Sequence, residues 1–364
     1  MRLAVIGAGN WGTTLAVVYA RLGNEVVLWD RDSERVRAMH ESRENARYLP
    51  AVQLPEALCV TSDLAAAVHD RALIVLAVPA QAVRALATQL RPNLPSGSRQ
   101  GAEAIVVIAA KGLELGTGRR MSEVVAESLR PRQRRHVAVL SGPNLAGEIV
   151  RGLPAAAVVA ARHRPTAALA QQLLATPRLR LYVSSDVTGV ELGGALKNVM
   201  ALVAGVAEGL GYGDNGKASI MTRGLAEIAR LGVAAGARQA TFAGLSGLGD
   251  LIATCASPLS RNHHVGYELG RGRSLAEIQA GMASVAEGIT TTRAALELSR
   301  RYRVEMPITE QLHAVLSAGK SPHAAVDDLL SRAARDELTS QPLPQADARA
   351  SGGAADGALL AQQG

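Results

Sequence analysis

The first sixteen residues, "MRLAVIGAGNWGTTLA" (1–16), decide the fold. An apolar run typical of a buried strand leads directly into Gly7, Gly9 and Gly12 in GxGxxG spacing, and an apolar helical pattern follows. In such an array the first glycine permits a tight turn, the second lets the backbone approach a pyrophosphate, and the third lets helix and strand pack closely. The stretch therefore predicts a dinucleotide-binding unit with the phosphates at the helix N-terminus. A glycine-rich turn without a ligand is the alternative.

The end of the second apolar run bears on the choice of dinucleotide. Asp30 lies 18 residues after Gly12, close to the position of a carboxylate that binds the ribose of NAD. Arg31 follows at once, and an arginine at this point can bind the 2′-phosphate of NADP. The sequence therefore predicts NADP or NAD as the cofactor and leaves both open.

Eight short apolar runs alternate with helix-length segments as far as about residue 188. Continuous apolar strands between helices indicate a mostly parallel sheet covered on both faces. Beyond that point helical patterns take over, most of them ending at Gly, Pro or Ser. We therefore predict an α/β doubly wound (Rossmann) domain at 1–188 and an all-α domain at 189–338. The stretch 339–364, rich in Gly, Ala, Gln and Pro, is predicted to be a disordered tail.

Composition excludes several classes of protein. Cys59 and Cys255 match no metal-binding spacing, so we expect no metal site, no disulfide framework and a reducing cytoplasm. No apolar run approaches the roughly 18 residues of a membrane span. The formal charge of +7 and the basic cluster at 130–136 could suggest nucleic acid, but the chain has one Phe, six Tyr and two Trp for base stacking. A solvated loop is the better interpretation of the cluster.

Lysine is rare in this chain. Of its 39 basic residues, four are lysines: Lys111, Lys197, Lys217 and Lys320. Because arginine is the usual cation here, each lysine becomes a candidate for a role that arginine cannot fill. Lys111 follows the C-terminal end of a predicted strand, where open α/β sheets bind ligands, although an exposed loop charge is the alternative.

Lys197 lies inside the apolar helical run "LGGALKNVMALVA" (192–204). The residues on its face are small: Gly193, Gly194, Ala201 and Ala204. Such a face predicts contact with a close-packed partner or a ligand. The alternative is a lysine at the helix rim whose ammonium group reaches solvent.

Two further turns combine glycine with polar side chains. Ser141, Gly142 and Pro143 follow a strand, and we predict a helix start at Asn144, where exposed backbone N–H groups suit an anion or a carbonyl oxygen. An ordinary capped turn would look the same.

Later in the chain Asp250 follows a glycine-rich turn, and Ser260, Arg261 and Asn262 open a predicted helix. A serine N-cap with a guanidinium and an amide in the first turn predicts a phosphate site, with a capped surface helix as the alternative.

Together these stretches resemble a known family, the NAD(P)-dependent sn-glycerol-3-phosphate dehydrogenases of bacterial type. The matching stretches occur in the same order across roughly residues 1–338: "GAGNWGTTLA", "AAKGLE", "SGPNLAGEI", "ELGGALKNVMALVAGVAEGLGYGDNGKA", "GLGDLIATC" and "SRNHHVG". The resemblance implies reduction of dihydroxyacetone phosphate to sn-glycerol 3-phosphate in the cytoplasm. It also implies a role in phospholipid synthesis and a homodimer.

The resemblance further implies roles for particular residues. Lys197 would be the general acid/base. The substrate would contact Lys111, Gly142, Asn144, Lys197, Asp250, Ser260, Arg261 and Asn262. The cofactor would contact Gly7, Gly9, Asn10, Trp11, Gly12, Arg31, Lys111, Ala146, Arg261, Val285 and Glu287.

Two positions depart from the family pattern: Asn144 stands where a small hydroxyl residue is common, and Asp30 where a small residue is common. Two other functions stay open. A β-hydroxyacid dehydrogenase pairs its helix lysine with an asparagine one turn later, where this chain has Ala201. A Rossmann redox sensor would bind NAD(H) without turnover, and it would not require Lys111 and Lys197 to meet.

Overall fold

The computed structural model of this protein describes residues 1–94, 103–282, 286–333 and 337. The predicted tail at 339–364 lies outside these residues. In the described part the strands are β1 (Arg2–Ile6), β2 (Glu25–Trp29), β3 (Glu44–Asn45), β4 (Leu49–Gln53), β5 (Cys59–Thr61), β6 (Leu73–Leu76), β7 (Ile105–Ile108), β8 (Val137–Ser141), β9 (Ala155–Ala160) and β10 (Leu179–Ser184).

Eight of these strands form one sheet in the order β10-β9-β8-β7-β6-β1-β2-β5. Every neighbouring pair is parallel except β8 and β9. All eight apolar runs of the sequence join this sheet, which confirms the doubly wound α/β prediction. The glycine-rich turn follows the C-terminal end of β1. Strand β1 lies between β2 and β6, so the order of the strands reverses direction at this point of the sheet.

Strands β3 and β4 form a separate antiparallel hairpin that the sequence analysis missed. Three of the five residues of β4 are exposed, one of them Pro50, and the pairing is irregular, so the sequence shows no alternation of apolar and polar residues there. The hairpin is held by Asn45, whose Nδ2 donates to the carbonyl oxygen of Ala8 and to Oγ1 of Thr13, at 2.8 Å in each case. It therefore lies against the glycine-rich turn and α1, which begins at Asn10.

The helices of the sheet-containing half are α1 (Asn10–Arg21), α2 (Ser33–Ser42), α3 (Leu64–Val68), α4 (Val83–Asn93), α5 (Met121–Ser128), α6 (Ala146–Val150) and α7 (Arg164–Leu174). Those that follow the sheet are α8 (Val187–Gly209), α9 (Asp214–Ala234), α10 (Gln239–Phe242), α11 (Asp250–Ala256), α12 (Arg261–Gly270), α13 (Leu275–Ala280), α14 (Glu287–Tyr302), α15 (Pro307–Ser317) and α16 (Pro322–Leu330). The described part of the chain after β10 is therefore helical, as predicted.

The core has three parts. Alternate residues of the central strands face opposite sides of the sheet, so Leu3 and Val5 join one apolar cluster, and Ala4 and Ile6 join another. Both faces are thus buried, which explains why the strands read as continuous apolar runs. The third cluster surrounds α8, which is buried along nearly its whole length.

Helix α8 meets α12 backbone to backbone. A Cβ added at Gly205 would overlap the carbonyl oxygen of His263, and one added at Gly266 would overlap that of Leu202. Glycine is required at both contacts because a larger side chain would push the helices apart. This packing sets where the N-terminus of α12 stands relative to Lys197.

Helix α8 is also long and apolar enough to cross a membrane, which the sequence analysis did not anticipate. However, 94% of its most apolar window is buried inside the protein. Its apolar character therefore reflects packing against neighbouring helices.

A buried carboxylate joins α9 to α15. Glu227 accepts hydrogen bonds from the backbone N–H of Ile308 at 2.6 Å and from the N–H and hydroxyl of Thr309 at 3.3 and 3.0 Å. It therefore satisfies N–H groups in the first turn of α15. Burial raises the pKa of Glu227 from 4.5 to about 7, against the opposing effect of these hydrogen bonds.

We expect Glu227→Gln to change how stability depends on pH. Because the pKa is raised in the folded state, the stability that this carboxyl contributes is complete below about pH 4.5 and is lost as the pH rises through about 7. Between pH 5 and pH 8 the wild type should lose up to about 3 kcal/mol relative to the variant. Urea unfolding at both pH values measures this difference. Glu310→Gln, at an exposed position of α15, is the control, and parallel pH profiles for wild type and Glu227→Gln would contradict the assignment.

Candidate active site

Lys111 and Lys197 meet at a single carboxylate. Lys111 follows β7, Lys197 lies on α8, and Asp250 is the first residue of α11. The Nζ atom of Lys111 donates to Oδ2 of Asp250 at 2.5 Å and to the carbonyl oxygen of Gly142 at 2.9 Å. The Nζ atom of Lys197 lies 2.8 Å from Oδ1 of the same carboxylate. Each carboxylate oxygen thus binds one lysine, and Asp250 is only 1% exposed.

Burial and mutual charge govern this cluster. Burial lowers the pKa of Lys111 to about 8, a shift that Asp250 opposes and the charge of Lys197 reinforces. Burial would raise the pKa of Asp250, but the charges of Lys111 and Lys197 outweigh it and hold that pKa below its usual value. Asp250 is therefore ionised at neutral pH, and its charge offsets part of the positive charge of the lysines.

Thr254 completes the surroundings of Lys197 and was missed by the sequence analysis. Lys197 Nζ donates to Oγ1 of Thr254 at 2.5 Å, and that hydroxyl donates to the carbonyl oxygen of Asp250 at 2.6 Å. The threonine lies four residues after Asp250 on α11, so both side chains share one helix face. That spacing was the signal available in the sequence.

The small face of α8 allows other backbone segments to come close to Lys197. A Cβ on Gly193 would lie 2.5 Å from the carbonyl oxygen of Ser246, in the glycine-rich turn before α11. A Cβ on Gly194 would overlap Oγ of Ser141, at the end of β8. The prediction of a close-packed partner for this face is confirmed. Two segments pack against it, one before Asp250 and one before Gly142.

The turn after β8 differs in detail from its prediction. Helix α6 begins at Ala146, not at Asn144, because Leu145 has an extended conformation and serves as the N-cap residue. Gly142 has a φ of +137°, which favours glycine. Both polar side-chain atoms of Asn144 are buried and have no hydrogen-bond partner within the described part of the chain. An amide in that state suits a ligand atom.

The start of α12 has the predicted serine cap. Oγ of Ser260 accepts a hydrogen bond from the N–H of His263 at 3.2 Å. Asn262 is held inside the protein: its Nδ2 donates to Oδ1 of Asn198 at 3.0 Å, and its Oδ1 accepts from the N–H of Gly288 at 2.9 Å. One N–H of this amide remains for a ligand. Arg261 is exposed at the helix start.

The glycine-rich turn fits a pyrophosphate. Gly7 has a φ of +113°, and a Cβ on Gly12 would overlap the carbonyl oxygen of Gly7, so both positions require glycine. A Cβ on Gly9 would meet no described atom within 4 Å, which leaves open space at the N-terminus of α1. Oδ1 of Asn10 and Nε1 of Trp11 are buried without a partner among the described residues. Space, N–H groups and unpaired polar atoms therefore coincide where the sequence places the dinucleotide.

Of the remaining predicted residues, Glu287 lies where the helical part meets the sheet-containing part, and Arg31 lies at the end of β2. Glu287, at the start of α14, accepts a hydrogen bond from the N–H of Ala80 at 3.1 Å and so joins the helical part to the sheet-containing part. Burial raises the pKa of Glu287, although the charges of Arg261 and the two site lysines oppose this. Arg31 is exposed just after β2. Val285 lies outside the described residues.

The other two lysines do not join the cluster. Lys217 pairs with Glu208 and Asp214, and Lys320 pairs with Asp328 and Gln311. Lys217 and Lys320 therefore form ion pairs away from the site, whereas Lys111 and Lys197 converge on one carboxylate. A non-catalytic sensor would not require Lys111 and Lys197 to meet, so their convergence favours an enzyme.

Comparison with known proteins places this arrangement in a family. The N-terminal region of NAD-dependent glycerol-3-phosphate dehydrogenase matches residues 2–167, and its C-terminal region matches residues 186–327. The glycerol-3-phosphate dehydrogenase (NAD(P)+) of Moorella thermoacetica is 49% identical over 338 residues, covering 93% of this chain and 98% of that protein. That of Streptomyces coelicolor is 48% identical over 337 residues, covering 93% and 98%.

A solved structure agrees with these relatives. The crystal structure of glycerol-3-phosphate dehydrogenase from Coxiella burnetii is 37% identical, with a TM-score of 0.84, and the match covers 91% of this chain and 98% of that one. Sequence and structure thus agree over both parts of the molecule. The chain belongs to the NAD-dependent glycerol-3-phosphate dehydrogenase family.

Proposed function

We propose that this protein is an sn-glycerol-3-phosphate dehydrogenase, which interconverts dihydroxyacetone phosphate and sn-glycerol 3-phosphate with NADPH or NADH. The observation that carries the proposal is the bridging of Lys111 and Lys197 by Asp250. Buried charges that converge in this way are common at catalytic sites. The proposal includes the division into a dinucleotide domain at 1–188 and a catalytic domain at 189–338.

Lys197 is the proposed general acid. When bound, the dinucleotide supplies a hydride to the carbonyl carbon, or accepts one in the reverse direction. Reduction also requires a proton at the carbonyl oxygen, and the ammonium group of Lys197 is the proposed donor. Asp250 and Thr254 hold its Nζ in place from two sides. In the oxidative direction the neutral amine takes the proton back.

The phosphate of the substrate is assigned to the start of α12. Backbone N–H groups at a helix N-terminus and a guanidinium group both favour a phosphate. Arg261 is proposed to bind it, together with Ser260 and the remaining N–H of Asn262. Lys111, Gly142 and Asn144 would contact the rest of the substrate.

The cofactor is assigned to the open space at the glycine-rich turn. The residues proposed to hold it are Gly7, Gly9, Asn10, Trp11, Gly12, Arg31, Lys111, Ala146, Arg261, Val285 and Glu287. The hydrogen bond between Glu287 and Ala80 supports this placement, since it lies where the two parts of the molecule meet. A cytoplasmic location, a homodimer and a role in phospholipid synthesis complete the proposal.

The direct test is an assay with each reduced cofactor. We expect oxidation of NADPH or NADH that depends on dihydroxyacetone phosphate. The oxidation is measured as the loss of absorbance of the reduced nicotinamide. A carboxylic substrate of the β-hydroxyacid dehydrogenases should give no turnover, because Ala201 stands where that group has its asparagine. No turnover with dihydroxyacetone phosphate, or turnover with the carboxylic substrate alone, would contradict the proposal.

Replacing Lys197 should slow the chemical step without weakening the binding of NADPH. We expect Lys197→Met to lower kcat by about 10²- to 10⁴-fold, the usual contribution of a positioned general acid. Binding of NADPH, measured by calorimetry, should stay within about threefold. The matched control is Lys320→Met, which removes a lysine paired with Gln311 away from the site. A Lys197→Met enzyme with near-normal kcat would remove this residue from the proton transfer.

Thr254 offers a finer test, because it touches Lys197 without carrying charge. We expect Thr254→Val to lower kcat about 10-fold or more, with a small effect on KM, since the buried ammonium group loses one acceptor. Thr254→Ser retains the hydroxyl and should restore most of the rate. Equal rates for the valine and serine variants would show that the hydroxyl does not position Lys197.

A further inference from the structure

The first turn of α12 is fastened to α8 by two neighbouring residues. Asn262 reaches Asn198 of α8 through the 3.0 Å hydrogen bond between their amides. One residue later, the carbonyl oxygen of His263 lies where a Cβ on Gly205 would overlap it, so the two backbones touch. Arg261 comes two residues before His263, points about 200° away from it around the helix and is exposed. The contacts with α8 therefore fix the direction in which Arg261 leaves α12.

The ring of His263 is buried against the end of α8. Its side chain is 8% exposed, and its Nε2 lies 3.4 Å from Oε2 of Glu208, in the last turn of α8. Nε2 makes no hydrogen bond within the described part of the chain, and a buried ring nitrogen in that state favours a nearby charged partner. With the proton on Nε2, the ring directs a donor at the carboxylate. Attraction to Glu208 therefore holds His263 to α8.

Glu208 is held in turn by a lysine. Nζ of Lys217, near the start of α9, donates to the same Oε2 at 3.1 Å. This hydrogen bond raises the pKa of Lys217 and keeps its ammonium group charged. The cation is needed because a carboxylate in the last turn of α8 faces the negative end of the helix dipole. The end of α8 and the starts of α9 and α12 thus meet at one carboxylate.

His263 does not itself reach toward the proposed phosphate. Its N–H is taken by Oγ of Ser260 at 3.2 Å, and its ring points into the protein. Ser260 and Arg261, which are proposed to bind the phosphate, precede it in the same turn, so a shift of His263 would move both. Donors that are fixed before a ligand arrives bind it more tightly, because less conformational freedom is lost on binding.

We propose that His263, held by the pair of Glu208 and Lys217, is a positioning residue for the substrate phosphate, which aligns Ser260 and Arg261 before the phosphate binds. The inference rests on the proposed function, which assigns the phosphate to the start of α12. It adds three residues that do not touch the substrate, and it gives Lys217 a function that its distance from Lys197 does not suggest.

The test separates the binding of the phosphate from the chemical step. His263→Phe retains a ring but removes its nitrogens. We expect KM for dihydroxyacetone phosphate to rise about 5- to 20-fold, the effect of losing one polar contact with a charged group. The value of kcat should stay within about threefold, because Lys197 is unchanged.

A binding measurement locates the effect at the phosphate. Inorganic phosphate is titrated by calorimetry into protein that is saturated with NADPH, and His263→Phe should weaken its binding by a factor similar to the rise in KM. The dissociation constant of NADPH should stay within about threefold, since most of its proposed contacts lie at the glycine-rich turn.

His264→Phe is the matched control. It makes the same replacement one residue later, at an exposed position, and should leave KM unchanged. His263→Gln is the conservative variant: its amide N–H can take the place of the ring Nε2–H, and it should restore most of the wild-type KM.

Glu208→Gln tests the same contact from the other side. Its side chain is 40% exposed, so this replacement does not disturb a buried ring. KM should rise as in His263→Phe, and the double variant should be little worse than either single variant, because both changes remove one interaction.

Three results would overturn the proposal. They are a normal KM in both His263→Phe and Glu208→Gln, equal KM values for the phenylalanine and glutamine variants of His263, and a loss of NADPH affinity as large as the loss of phosphate affinity. Wild-type protein that does not turn over dihydroxyacetone phosphate would contradict the proposed function instead. The phosphate titration would then still decide whether His263 positions an anion site at the start of α12.

Discussion

The carboxylate of Asp250 is the interaction on which the rest of the site depends. Two ammonium groups brought into the protein interior repel each other and lose hydration, and the lost hydration costs several kcal/mol per ion when it is not compensated. Asp250 offers one oxygen to Lys111 and the other to Lys197, so both cations are paired by one residue. Since Lys111 follows the sheet and Lys197 lies on α8, the same carboxylate also fixes the two halves of the molecule against each other.

Helix α8 is the element around which this arrangement is built. Its glycines let α12 and the segments carrying Ser141 and Ser246 approach its backbone. A second buried ion pair, between Arg120 and Glu191 at 2.7 Å, holds the N-terminal part of α8 to α5. The position of Lys197 therefore follows from close packing on several sides, which leaves its side chain little freedom. Rigid placement of this kind is what a proton donor requires.

Several features escaped the sequence analysis for identifiable reasons. The β3–β4 hairpin has no alternation of apolar and polar residues. The buried amide of Asn45 holds it in place instead. Thr254 was not among the predicted residues, and only the fold brings Lys197 to its hydroxyl. Asp30 has a partner that the strand pattern did not predict, since Nη1 of Arg35, in the first turn of α2, lies 3.2 Å from its Oδ2. In each case the hydrogen-bond partners are known only from the folded chain, although the spacing of Thr254 from Asp250 places both on one helix face.

The sequence by itself determined the doubly wound sheet, the helical second half and the residues that could carry chemistry, because apolar periodicity, glycine spacing and the rarity of lysine are local properties of the chain. The tertiary structure alone decided which of these residues meet. Lys197 lies 86 positions after Lys111, and Asp250 lies 53 positions further on. Their convergence depends on the direction of β7, α8 and α11 and on glycine contacts that allow close approach, and such long-range geometry is set only when the elements pack together.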